Sequence, residues 1–261
     1  MYIGTAKPIG DDQGGVQHHF VDFLSVKEPY SVGDYERDVD QFLKEYFKKN
    51  DIAVLVGGAG LFIDAVCKGL DEFPETDVRI RNSLNAKFTE EGISPLLEKL
   101  KEIDSSYYEV VDKSNHRRII RALEVCISSG KPFSSFLSLN SKKDKYAVIR
   151  IGLKMDRELL NKQINKRVDV MMERGLLDEV NSLVKYNQLQ ALQTVGYAEL
   201  FNYIEGCNTL EEAVEQIKQN TRKYGKRQVT WFKKNKAITW FPVDHIEKII
   251  SFIETSISES Q

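Results

Sequence analysis

The apolar positions of this chain change period several times, and each change marks an element. Ile52-Ala53-Val54-Leu55-Val56 is an unbroken apolar run that ends in Gly57-Gly58-Ala59-Gly60. A short continuous run closed by glycines predicts a strand buried on both faces, and Leu61 to Leu70 then reads as a helix. Strand, glycine turn and helix are the grammar of a parallel α/β sheet, with amides at the helix start available to an anion. No Lys-Ser/Thr follows the glycines, so the turn is not a Walker A loop, and tight packing is its simpler use.

A breaker-rich segment, Asp71 to Asp77, comes next. Helical periodicity then holds over Val78 to Phe88, Pro95 to Ile103 and Asn115 to Ser128, with no strand pattern between them. Tyr146 to Leu153 restores a buried-strand pattern. The expectation is an α/β core, residues 1–77 and 141–261, carrying a helical insertion at 78–140. Gly130-Lys131-Pro132 and the polar Asn140-Ser141-Lys142-Lys143-Asp144 mark the exit of the insertion. Asp156 is placed to cap a long helix with Leu160, Ile164, Val168 and Met171 on one face, and Gly175 interrupts it before Leu176. Thr209 and Glu212 form a capping box for a further helix.

Composition narrows the class. The chain has 261 residues, 41% hydrophobic and 29% charged, which excludes global disorder. No run approaches 18 apolar residues, so no membrane span is expected. Cys67, Cys126 and Cys207 lie far apart with no CxxC, which indicates neither a disulfide framework nor a zinc site, and a reducing cytoplasm is expected. His18 and His19 beside Asp22 invite a metal reading. Adjacent side chains on an extended chain point to opposite faces, however, and His116 and His245 are isolated, so no zinc is expected.

The formal charge of −2 would argue against nucleic acid, but its distribution is uneven. From Gln216 to Pro242 there is no acidic residue, while Lys218, Arg222, Lys223, Lys226, Arg227, Lys233, Lys234 and Lys236 are interleaved with Tyr224, Trp231, Phe232, Trp240 and Phe241. Such groups neutralise phosphates and stack on exposed bases. A solvated helical face with its aromatics in the core is the competing reading. A second basic cluster is Asn115-His116-Arg117-Arg118-Ile119-Ile120-Arg121, with Arg117 and Arg121 at i,i+4 and Ile119, Ile120, Leu123 and Ile127 on the opposite stripe. Glu124 is an i,i+3 partner for Arg121 and offers a purely structural use of that arginine.

Several segments together resemble one family. They are Ile3-Gly4-Thr5-Ala6-Lys7-Pro8, Gly15 to His19, Tyr30 to Tyr35, Val54 to Leu61, Arg118 to Val125, Gly130-Lys131-Pro132, Val195-Gly196-Tyr197, and Thr221 to Phe232. In this order they resemble the bacterial tRNA dimethylallyltransferases. The resemblance implies a P-loop-kinase-like parallel sheet core, a nucleotide-binding type of fold, with a helical insertion that grips the anticodon stem of a tRNA. It implies transfer from dimethylallyl diphosphate, assisted by Mg2+, to N6 of the adenosine next to the anticodon in tRNAs reading codons that begin with U. It further implies a cytoplasmic monomer. Carried over by motif, tRNA contacts fall at Arg81, at Arg117, Arg118 and Arg121, at Gln193, Thr194, Val195, Gly196 and Tyr197, and at Lys226, Arg227, Gln228, Thr230, Trp231, Phe232 and Lys233. Arg167 matches, by helix register, an arginine that holds the diphosphate. Its alternative is a surface pair with Asp169 or another nearby acid.

The sequence departs from the family pattern twice. The family's P-loop strand and the strand ending in its base Asp precede the Ile-Gly-Thr-Ala-Lys-Pro motif, which here begins at residue 3, so about forty residues are absent by family comparison. No GxxxxGK[ST] occurs, so no catalytic base, P-loop or metal ligand is assigned within the 261 residues, and these residues alone are expected not to catalyse transfer. Ala59 stands where the family commonly has a Thr facing the substrate channel. Three readings stay open: a fragment of an intact enzyme, a tRNA-binding relative without catalysis, and a small-molecule or nucleotide kinase sharing only the core. The kinase predicts neither the arginine-faced insertion nor the basic-aromatic tract. Loss of a central strand would leave unpaired edges, which favours the fragment.

Overall fold

The computed structural model of the chain describes residues 1–5, 7–8, 14–137 and 144–259. Two compact units divide it: Met1–Ile63 with Tyr146–Gln261, and Asp64–Lys145. The division falls within a helix, α2 (Gly60–Lys68), which follows the first helix of the chain, α1 (Val32–Tyr46). Ser31 and Asp34 cap α1 reciprocally, and Val39 and Leu43 are its buried residues.

The first unit continues with β1 (Ile151–Lys154), whose partner is β2 (Thr239–Pro242). They pair in parallel with Ile151 opposite Thr239 and Gly152 opposite Trp240. A Cβ on Gly152 would meet the Trp240 ring at 2.7 Å, so glycine is what lets the indole cross the strand. The mixed α/β architecture with a parallel sheet is therefore present, though β1 is shorter than the run from Tyr146 to Leu153 suggests. Ile52–Val56 differs from expectation. Among the described residues it pairs with no strand, and Val54 and Val56 are 84% and 86% exposed. An apolar run becomes a buried strand only where neighbours cover it and complete its ladder, and these residues have none there.

Helices α7 (Arg157–Glu173), α8 (Leu176–Leu183), α9 (Ala198–Ile204), α10 (Leu210–Phe232) and α11 (Ile246–Ser258) complete this unit. Asp156 caps α7 through the amides of Glu158 and Leu159, and Gly175, at φ 90°, separates α7 from α8. The Thr209–Glu212 capping box opens α10. Helix α10 packs against α7 and α9 over Val168, Leu176, Val180, Leu192, Tyr197, Leu200, Ala213 and Ile217.

The second unit is helical. It contains α3 (Val78–Glu91), α4 (Ser94–Ile103), α5 (Ser105–Val110) and α6 (His116–Ser129), with no strand among its described residues. Helix α6 packs on α3 and α4, burying Ile119, Ile120 and Leu123 against Leu84, Leu96 and Leu100, while Ile127 is 38% exposed. Asn115 caps α6 and Gly130, at φ 69°, ends it. Asp104 is buried and serves two segments: it accepts from the amide of Tyr107 and from the amide and hydroxyl of Ser134. The polar exit at 140–143 lies outside the described residues.

Candidate nucleic-acid interface

In the first unit the glycine turn meets α10. The carbonyl of Ala59 accepts from the amides of Phe62 (3.0 Å) and Ile63 (3.2 Å), which makes Ala59 the N-cap of α2 with only a methyl to offer. Gln228 Nε2 donates to the carbonyl of Gly58 at 3.0 Å. A Cβ on Gly58 would collide with Gln228, and one on Gly60 with the indole of Trp231. Glycine at both places is what allows the turn to lie flat on α10, so the turn is used for close packing.

The basic tract divides along α10. Toward its start the charges are engaged: Lys218 pairs with Asp169 at 2.6 Å, and Arg222 reaches Asn165 at 2.6 Å and Glu215 at 3.0 Å. Toward its end Lys226, Arg227, Thr230, Trp231 and Lys233 are exposed, Gln228 and Phe232 half-buried, and Arg227 lies over the Tyr224 ring. Lys226, Arg227 and Lys233 make no ion pair with any described residue. The tract thus holds in succession a stretch of engaged charges and a stretch of exposed, unpaired ones.

The turn at 193–198 is fixed by two carboxylates that sequence reading did not single out. Glu199, buried, accepts from the amide of Gly196 (2.8 Å) and from Asn220 Nδ2 (2.7 Å). Glu179 accepts from the amides of Tyr2 (2.6 Å), Ile3 (3.0 Å) and Gly4 (3.3 Å), and from the hydroxyl of Tyr197. Burial pushes the Glu179 carboxyl up, but Tyr197 and the three amides outweigh it and hold the group below the usual carboxylate range. Burial and Glu179 push the Tyr197 phenol well up. Tyr197 is wholly buried and Gly196, at φ 96°, is buried too, while Gln193 and Thr194 are exposed and Val195 half-buried. Within this turn the outward groups are thus Gln193 and Thr194, and Tyr197 anchors it. Arg167 is exposed on α7 without an ion pair among the described residues, and Asp169 is engaged by Lys218.

The second unit places Arg117 and Arg118 on the exposed face of α6, neither ion-paired among the described residues. Arg81 and Arg121 instead converge on Glu124, at 2.7 and 3.0 Å, as the i,i+3 spacing of Arg121 and Glu124 allows.

The acids nearest the family motifs are already committed. Lys7 and Tyr2 donate to Asp22 and hold it below its usual range, and Ser31, by hydroxyl and amide, does the same for Asp34. Asp64 lies 3.8 Å from Lys68. Among the described residues no group of three or more His, Cys, Asp or Glu could hold a metal ion.

A parallel-sheet unit whose glycine turn abuts a basic, aromatic helix end, carried with an arginine-faced helical unit, matches the architecture of solved tRNA-modifying transferases. The chain superposes on a tRNA isopentenylpyrophosphate transferase from Bacillus halodurans with a TM-score of 0.70 and 35% identity, covering 98% of this chain and 84% of that one. A eukaryotic dimethylallyltransferase acting on tRNA shares the fold, with a TM-score of 0.80 at 20% identity over 98% of this chain and 69% of that one. The class is that of the tRNA prenyltransferases. Residues 1–235 match the family described as IPP transferase, and the chain belongs to it. Among relatives, the tRNA dimethylallyltransferase of Christiangramia forsetii is 47% identical over 99% of this chain and 86% of its own length. That of Flavobacterium johnsoniae is 44% identical over 100% and 86%.

Proposed function

We propose that the reaction this chain serves is its family's, transfer of a dimethylallyl group from dimethylallyl diphosphate to N6 of the adenosine 3′-adjacent to the anticodon, in tRNAs reading codons that begin with U. The observation that carries this reading is the seat of the glycine turn on Gln228 and Trp231, which joins two family motifs distant in sequence at the open, basic end of α10. The chemistry needs such a surface. The adenine amine is conjugated into its ring and is a poor nucleophile, and it is reached only after the base leaves the stack, at a cost of a few kcal/mol. Lys226, Arg227 and Lys233 supply charge for the flanking phosphates, and Trp231 supplies a face on which an unstacked base rests. Gln228, Thr230 and Phe232 shape the same helix end.

Arg117, Arg118, Arg121 and Arg81 hold the stem, Gln193 and Thr194 present a second contact on the turn that Tyr197 anchors, and Arg167 faces the diphosphate. Mg2+ is the expected companion of the diphosphate in this reading. The test is binding of a fluorescent anticodon stem-loop against duplex DNA across a salt series. Preference for the stem-loop, with affinity falling steeply as salt rises, is expected. Equal affinity for both nucleic acids would count against the reading. A form extended to the length of its relatives is expected to add one dimethylallyl mass to the stem-loop.

A further inference from the structure

The cluster around Glu124 is built unlike any other charged group among the described residues. Its carboxylate is 2% exposed, and Arg81, Arg121 and Thr76 reach it by their side chains from its own helix and from other parts of the unit. One oxygen accepts from the hydroxyl of Thr76 at 2.9 Å. The other accepts from Arg81 at 2.7 Å and from Arg121 at 3.0 Å. Arg121 also reaches Thr76 at 3.3 Å and lies 5.5 Å over the Phe73 ring. The two guanidinium side chains remain 49% and 37% exposed. Two cations against one anion leave a net positive charge, and each guanidinium keeps N–H donors beyond those spent on Glu124.

We propose that Glu124 is a positioning residue that locks Arg81 and Arg121 side by side as a two-arginine grip for an RNA backbone phosphate. A guanidinium free on its stem gives up rotamer entropy on meeting a phosphate. Here the buried carboxylate has fixed both forks in advance, and the planar fork matches phosphate geometry. The grip rests on the tRNA reading given above. It goes beyond that reading by naming the ligand group and the acid that prepares the site.

Glu124→Gln distinguishes positioning from bulk charge because the two predict opposite signs. Removing a buried anion makes the unit more basic, so an electrostatic surface binds RNA as well or more tightly. A grip that needs its anchor binds more weakly, by about tenfold, the size of one lost charge-assisted hydrogen bond. Glu102→Gln, which removes an exposed charge from α4, is the control and is expected to bind like wild type. The probes are the anticodon stem-loop and an unrelated RNA hairpin, with circular dichroism confirming the helices of each variant. Glu124→Gln binding as tightly as wild type overturns the grip. If that variant loses its helices, Arg81→Lys and Arg121→Lys decide: each keeps the charge and loses the fork. About tenfold weakening supports the grip, and unchanged affinity overturns it. Wild type binding both RNAs equally strikes the tRNA reading while leaving the grip to be read on either RNA. No binding to either overturns both.

Discussion

Ala59 caps α2 with a carbonyl and a methyl. Two amides in the first turn, those of Phe62 and Ile63, are served by that carbonyl, but no side chain reaches the remaining orphan donors from this position. Ala59→Thr places a hydroxyl at an N-cap, where it typically adds about 1 kcal/mol. In a chain of this size that raises the melting temperature by about 2–4 °C, readable by calorimetry. An unchanged melt would mean that the hydroxyl turns away from the helix. Residue chemistry of this kind is legible in sequence because the cap and its partners are neighbours. Glu179 and Glu199 are the opposite case. Each looks like an ordinary helix acid, and its use appears only when Tyr2, Ile3 and Gly4, or Asn220, arrive from elsewhere in the chain.

Between elements, Glu124 ties α6 to α3 through Arg81 and to the segment before α3 through Thr76. Burial raises its carboxyl, and hydrogen bonds from Arg81, Thr76 and Arg121 outweigh that and hold it below the usual range. A carboxyl depressed in the folded state contributes stability that is present above the unfolded value, about pH 4.3, and lost as pH falls through the folded one. Acid titration followed by circular dichroism is therefore expected to show stability falling below about pH 4.3, with a shallower slope in a folded Glu124→Gln variant. Equal slopes would remove Glu124 from the acid response. Helices with strong local caps were readable, α6, α7 and α10 among them, because Asn115, Asp156 and the Thr209–Glu212 pair act within four residues. Helix α1 is less legible from its cap. Its box closes with Asp34 in place of the longer Glu or Gln, and Gly33 in its first turn lowers helical propensity.

At the scale of the molecule, periodicity read the helices α3, α4 and α6 and one member of the parallel pair, β1, while β2 lay unread within the basic, aromatic tract. The distribution of charge by itself marks α6 and the end of α10. What periodicity could not supply was the company a strand keeps. Ile52–Val56 reads as interior, yet no helix or strand among the described residues covers Val54 or Val56. The consequence is colloidal. An uncharged, exposed segment rich in β-branched residues that pairs with no strand among the described residues is a template for another copy of itself. Concentrated samples of this chain are expected to scatter light increasingly with time and with salt, as screening removes the repulsion between copies. Val54→Lys puts a charge in the middle of that template and is expected to suppress the scattering while leaving the melting temperature unchanged, since a side chain so exposed stabilises little by burial. Scattering that persists in Val54→Lys would place the adhesive surface elsewhere.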